Sequence, residues 1–389
     1  YTTLFRSMAL SILPYLMTTA AKKNGLDKEI VILTATSGDT GKAALAGFAD
    51  VPGTKIAVFY PKNGVSPIQE KQMITEKGAN TFVAGITGNF DDAQTGVKKM
   101  FQDKELAEYL DSKGYIFSSA NSINIGRLVP QMVYYVYAYT RLIAAGTIEA
   151  GDEINVVVPT GNFGNILAGY YAKQMGVPVN KLICASNANN VLTDFINTGV
   201  YDRNRAFHTT ISPSMDILIS SNLERLLYHL CGENDAQIRE WFGALAKEGR
   251  YEVSDDVKKA ISESFCAGFC DDEQTKATIK EIYDKYSYTC DTHTAVAVKV
   301  YEDYVKATGD DTVTVIASTA SPYKFSGSVL SAIGAEAGED EFEKVDKLAE
   351  VSKLPIPKSL AALKDKEIRF NETIDKADMK KFIFKTLGI

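Results

Sequence analysis

Short runs of Val, Ile and Ala recur along the first half of the chain, each bounded by Gly, Pro or Asn and each followed by a longer stretch with helical spacing of apolar residues. Runs of the first kind read as strands buried on both faces, and the stretches behind them as amphipathic helices. The pattern predicts strands over 30–34, 55–60, 81–84, 115–118, 154–159 and 182–186. Helices are predicted over 40–50, 67–78, 90–110 and 166–175, with a long apolar segment over 123–145. From about 191 to 304 the strand signal stops and helical patterns follow one another, at 215–230, 236–247, 254–269 and 272–286. A last strand is predicted over 312–317, followed by a charged tail with Pro355 and Pro357 in a loop. Strand–helix alternation of this kind implies an α/β fold with doubly wound, mostly parallel sheets, whose ligand crevices lie at the carboxyl ends of strands.

Bulk properties narrow the classes. A chain of 389 residues is long enough for two lobes. Its net charge of −7, with no basic cluster, argues against a nucleic-acid surface. No apolar run is long enough to span a bilayer, so no membrane partner is expected and a cytoplasmic setting fits. The five cysteines are an odd number for a disulfide framework and fit a reducing compartment. Cys266 and Cys270 lie one helical turn apart, and Cys290 lies three residues before His293, but four convergent metal ligands are not evident and no metal is expected.

Three polar turns sit between a strand and a helix. The most telling is Gly161-Asn-Phe-Gly-Asn165, which closes the strand 154–159 and opens a helix. A helix start presents unpaired N–H groups and the positive end of its dipole, and glycines let backbone come close, so a phosphate is the natural occupant. The second turn, Thr36-Ser-Gly-Asp-Thr-Gly41, is followed by Lys42 and invites comparison with a nucleotide-binding P-loop. That motif needs glycine where Thr36 stands and Ser or Thr where Ala43 stands, and both requirements fail. Capping by Ser37 or Asp39 is the plain reading; a cradle for a carboxylate is the functional one. The third turn holds Asn121, Asn124 and Arg127. The asparagines read as turn formers, and Arg127 as a structural cation or a bidentate anion ligand. Thr319, past the last strand, either caps the next helix or offers a neutral hydroxyl to a heterocyclic nitrogen. The three histidines are scattered, and none is given a catalytic role.

Taken in order, the stretches 8–14, 36–41, 66–72, 120–127, 159–165, 213–222, 291–296 and 318–322 resemble threonine synthase of the longer microbial and fungal type, over essentially the whole chain. The resemblance implies a pyridoxal 5′-phosphate enzyme of the tryptophan synthase β-like fold type II. It implies that Gly161, Asn162, Phe163, Gly164 and Asn165 hold the cofactor phosphate and that Thr319 meets the pyridine nitrogen. It further implies that Thr36, Ser37, Gly38, Asp39, Thr40 and Gly41 seat the carboxylate of O-phospho-L-homoserine, with Asn121, Asn124 and Arg127 also on the substrate. The implied reaction gives L-threonine and inorganic phosphate, by a monomer or homodimer. The implied division sets 1–24 with 151–389 as the larger, cofactor-binding domain, carrying the helical insertion of about 191–304, and 25–150 as the smaller one. Threonine dehydratase or cysteine synthase chemistry is the nearest rival within the fold, and a non-catalytic phosphate-binding relative is the rival outside enzymes.

One departure falls at the chemical centre. The family's cofactor-bearing lysine stands in a Phe-Lys-Asp step before Met-Ala-Leu; here that step reads Phe5-Arg6-Ser7. A guanidinium stays protonated at working pH and can neither carry the cofactor aldehyde nor shuttle protons. The family's lead-in and the small domain before it have no match in 1–4, which reads as a truncated product or as a natural relative without turnover, the first being favoured.

Overall fold

The computed structural model describes residues 4–36, 38–336 and 338–389, and the side chains of all of these but 4–7 and 91. The chain divides into two compact units, Tyr1–Pro130 with Pro355–Ile389, and Gln131–Leu354.

The first unit is built on five parallel strands in the order Thr373–Asp375, Thr81–Thr87, Thr54–Pro61, Glu29–Ala35 and Tyr115–Ser119. Alternate residues of the central strands point to opposite faces, and both faces are apolar. Val31, Leu33, Phe59 and Ile86 form one core with residues of the helices Phe90–Gln102, Lys104–Ser112 and Met379–Leu387. Ile30, Ile32, Ile56 and Val58 form the other with the helix Asp39–Phe48 and the N-terminal helix Leu4–Lys23. The sheet is therefore doubly wound, which is what its uninterrupted Val and Ile runs require.

The N-terminal helix belongs to this unit, so the expected grouping of 1–24 with the second half of the chain differs from the one the structure adopts. The reason is a close crossing. Leu10 and Leu13 are fully buried against Ala44, Leu45 and Phe48. A Cβ on Gly47 would lie 2.2 Å from the Leu10 carbonyl oxygen. Pro14 has no N–H to give that carbonyl four residues back, and the Gly47 backbone comes up against it. Gly47→Ala is expected to destabilise the unit by about 1–3 kcal/mol, because a backbone atom cannot swing aside as a side chain can. A lowered denaturant midpoint in equilibrium unfolding checks this; an unchanged midpoint would show the two helices packing elsewhere.

The second unit carries a four-stranded parallel sheet in the order Thr314–Ile316, Ile154–Pro159, Val179–Ser186 and Phe265–Phe269. Val157, Ile183 and Ala185 pack on Val296, Ala297 and Val300 of the helix Thr292–Thr308. The region 191–304 is not wholly helical as expected. Val200–Asp202 and Arg250–Glu252 pair antiparallel, and Phe265–Phe269 lies in the main sheet beside Leu182–Ser186. The expected helix over 215–230 shrinks to Leu223–Leu230. That over 90–110 breaks at Asp103, whose extended backbone ends one helix while its carboxylate accepts from Leu106 N at 2.9 Å to cap the next.

Candidate active site

In the second unit, the buried strand Ile154–Pro159 runs into the Gly161–Asn165 turn and the helix Gly164–Gln174 opens behind it. The turn is forced tight. Phe163 stands in the left-handed region at φ 64°, unusual for a bulky residue, and its buried ring packs on Phe265 with centroids 5.8 Å apart. A Cβ on Gly161 would lie 2.5 Å from the Ser214 carbonyl oxygen, so only glycine lets the 213–215 turn lie against it.

The side chains of the turn are engaged away from its N–H groups. Asn162 accepts from Ser221 Oγ at 3.3 Å through its amide oxygen and from Asn222 Nδ2 at 2.8 Å through its carbonyl. Asn165 accepts from the Tyr135 hydroxyl through both its carbonyl and its amide oxygen. Burial holds the Tyr135 phenol well above its ordinary range, so it remains a donor. Among the described residues, nothing accepts a hydrogen bond from the N–H groups of Gly161, Asn162, Phe163 or Gly164. Four unused backbone donors at the start of an eleven-residue helix suit an anion.

Thr319 follows the neighbouring strand: Ile316 pairs with Val157, and Ala317 N donates to Val157 O at 2.9 Å. The cradle and Thr319 are thus brought to the carboxyl edge of one sheet. Thr319 is buried, and among the described residues its hydroxyl has no hydrogen-bond partner. That leaves the group available to a ligand nitrogen, whereas the neighbouring Ser318 accepts from Thr294 at 3.2 Å.

The remaining residues of the sequence-derived site lie in the first unit. Thr36 Oγ1 accepts from the N–H groups of Gly38 and Gly41, both at 2.9 Å, so Thr36 itself uses donors that the carboxylate reading assigns to a ligand. Asp39 accepts from Gln69 Nε2 at 3.0 Å. Thr40 has a polar partner as well. Asn121 Nδ2 donates to Ala35 O and Asn124 Nδ2 to Ser119 O, each at 3.0 Å, which ties the third turn to the carboxyl ends of two strands. Arg127 is buried and its Nη1 donates to Ala120 O at 2.6 Å. Lys42 forms an ion pair with Glu76, which removes the cation a P-loop would need. Ser37 lies outside the described residues, as does the side chain of Arg6. Among the described residues, no group of three His, Cys, Asp or Glu side chains is arranged to hold a metal, and no helix is long and apolar enough to cross a membrane.

Sequence reasoning gave no role to Ser214, Ser221, Asn222 or His293. His293 is buried; its Nε2 accepts from Ser214 N at 3.2 Å, its Nδ1 lies 3.5 Å from Asp291 Oδ1, and its ring lies on Phe325 at 4.9 Å. Asp291 caps the helix Thr292–Thr308 through the N–H groups of His293 and Thr294. A further network, Asn187, Asn189 and Thr210 around Asp216, fixes the segment that leads into 213–222. Contacts between residues 59 to 79 apart in the chain leave no periodicity in a single sequence by which to find them.

Residues 1–253 match the family of pyridoxal-phosphate dependent enzymes, and 294–383 match the threonine synthase C-terminal family. Threonine synthase of Saccharomyces cerevisiae is 37% identical over 95% of the chain and 72% of its own length. Threonine synthase-like 1 of Homo sapiens is 42% identical over 85% of the chain but only 44% of its own length, so the chain spans about half of such relatives. The crystal structure of yeast threonine synthase superposes with a TM-score of 0.83 at 33% identity, covering 100% of this chain and 76% of that one. Pyridoxal-phosphate-bound threonine synthase from Brucella melitensis does so with the same TM-score, 0.83, at 34% identity over 97% of this chain and 75% of that one.

Proposed function

Because the chain belongs to the threonine synthase family of pyridoxal-phosphate-dependent, fold type II enzymes, we propose that its second unit holds the phosphate of pyridoxal 5′-phosphate on Gly161–Asn165 and the ring nitrogen on Thr319. The observation that carries this reading is the row of unused N–H groups over Gly161, where a side chain would strike Ser214. The Thr319 hydroxyl at the edge of the same sheet, without a partner among the described residues, supports it.

The family's reaction assigns the rest: O-phospho-L-homoserine and water are converted to L-threonine and phosphate. When bound, pyridoxal phosphate supplies an electron sink for negative charge that develops on a substrate carbon. Thr319, a neutral hydroxyl, leaves the ring nitrogen largely unprotonated, in contrast to what a carboxylate would do. The cradle neutralises the cofactor phosphate with oriented dipoles that need no reorganisation. In the first unit we assign the substrate carboxylate to residues 36–41 and the substrate phosphate to Arg127, with Asn121 and Asn124 shaping the turn that carries Arg127. We place the reaction in the cytoplasm, a setting consistent with five unpaired cysteines, and assign a monomer or homodimer.

Arg6 limits this chain. With a guanidinium in the lysine's place, the chain binds the cofactor without a covalent tether and without the amine that moves protons at the substrate carbons. The purified chain with added pyridoxal phosphate is expected to release no phosphate from O-phospho-L-homoserine above a heat-denatured control. Steady release by the unaltered chain would sink this assignment of Arg6.

A further inference from the structure

The 213–215 turn reaches the cradle from outside the Gly161–Asn165 motif, and one buried side chain holds it there. Ser214 has two backbone groups with separate duties. Its carbonyl lies against Gly161, at the spot where a Cβ would come within 2.5 Å. Its N–H donates to His293 Nε2 at 3.2 Å. For Nε2 to accept, the imidazole must be neutral with its proton on Nδ1. Nδ1 is the nitrogen that faces Asp291 Oδ1 at 3.5 Å and Thr292 Oγ1 at 3.4 Å, so its surroundings favour that tautomer. The ring is clamped between this polar end and Phe325. Asp291, buried and tied into the start of the helix Thr292–Thr308, gives the clamp a rigid base.

We propose that His293 is a positioning residue of the cofactor-phosphate cradle: by accepting the Ser214 N–H it fixes the turn that bounds Gly161, and so sets how closely the N–H groups of 161–164 can approach a phosphate. The inference rests on the cofactor assignment above. It gives a buried histidine a role that its position near a helix start conceals, because a residue at that position needs no acceptor nitrogen to fulfil it. The logic is that of an outer partner orienting a ligand-holding group, here a stretch of backbone in place of a side chain.

The test compares three substitutions in the full chain by equilibrium titration with pyridoxal phosphate and, separately, with inorganic phosphate. His293→Gln places its amide oxygen near the position of Nε2 and keeps the acceptor. His293→Asn reaches only as far as Nδ1, and His293→Phe fills the volume with no acceptor. The Asn and Phe variants are expected to bind both ligands about tenfold more weakly, the fold-change of one lost hydrogen bond, while Gln stays within about threefold of the unaltered chain. Rescue by Gln but not by Asn is a signature that a merely space-filling histidine would not give. Should the Phe variant fold poorly, the Asn and Gln pair decides the matter alone. Equal binding by the unaltered chain and the Asn variant overturns the inference and leaves the cofactor assignment standing. No binding of pyridoxal phosphate by the unaltered chain overturns the assignment, and the inference falls with it.

Discussion

Gly161→Ala should weaken pyridoxal phosphate binding by about a hundredfold, the equivalent of about 3 kcal/mol or two charge-assisted hydrogen bonds. The added methyl meets the Ser214 carbonyl oxygen at 2.5 Å, a contact that real Cβ atoms do not make. Neither partner can yield cheaply. Ser214 is held by His293 through its N–H, and the Gly161 turn is pinned by Asn222 on the carbonyl of Asn162 and by the buried ring of Phe163. Whichever moves, the N–H groups lose their common focus on the anion. Gly243→Ala is the control: it lies in the helix Asp235–Glu248 with no atom within 4 Å of a new Cβ, and binding should be unchanged. Equilibrium titration of the two variants reads the difference. Equal binding by Gly161→Ala and Gly243→Ala would mean that the phosphate lies elsewhere.

Arg6→Lys should convert reversible binding into a linkage that borohydride traps, at up to one cofactor per chain and at residue 6, against none there in the unaltered protein. The chemistry is that of the amine alone: a lysine can lose its proton and add to an aldehyde, and a guanidinium stays protonated at any working pH. Arg6 follows Phe5 and precedes Met8-Ala-Leu10, the register that the resemblance to the family gives its lysine. Peptide mapping of the trapped adduct locates it. A stoichiometric adduct on another lysine of the unaltered chain would show that the amine comes from a different element, and the reading of Arg6 would be wrong.

Much of the fold could be read directly. The Val and Ile runs at 30–34, 55–60 and 154–159 are strands within one or two residues, and the doubly wound parallel arrangement follows from them. Phe265–Phe269 was hidden because Val257, Ile261 and Phe265 keep helical spacing into the strand. There the backbone extends to pair with Leu182–Ser186 and sets Phe265 against Phe163, tertiary contacts that override the local helical spacing. Thr373–Asp375 left no signal, being three residues at a sheet edge within a charged tail. The place of the N-terminal helix depends on Gly47 meeting Leu10, a contact no local pattern encodes.

The candidate site divides in the same way. The Gly161–Asn165 turn and Thr319 stand out because a strand ends at or just before each. The residues that hold the Gly161–Asn165 turn, Asn222 directly and His293 through Ser214, are brought in by the tertiary fold across spans of 60 and 79 residues. The loop 36–41 shows the opposite: its sequence suggests open donors, and the hydroxyl of Thr36 takes two of them.

We propose, then, a chain that keeps the family's phosphate cradle while Arg6 stands where an amine would tether the cofactor. The most direct test is titration of the unaltered chain with pyridoxal phosphate in the presence and absence of inorganic phosphate, followed by borohydride treatment and mapping. One saturable site, competed by inorganic phosphate, is expected, with nothing trapped at residue 6. Absence of saturable binding, or binding indifferent to competing phosphate, would contradict it.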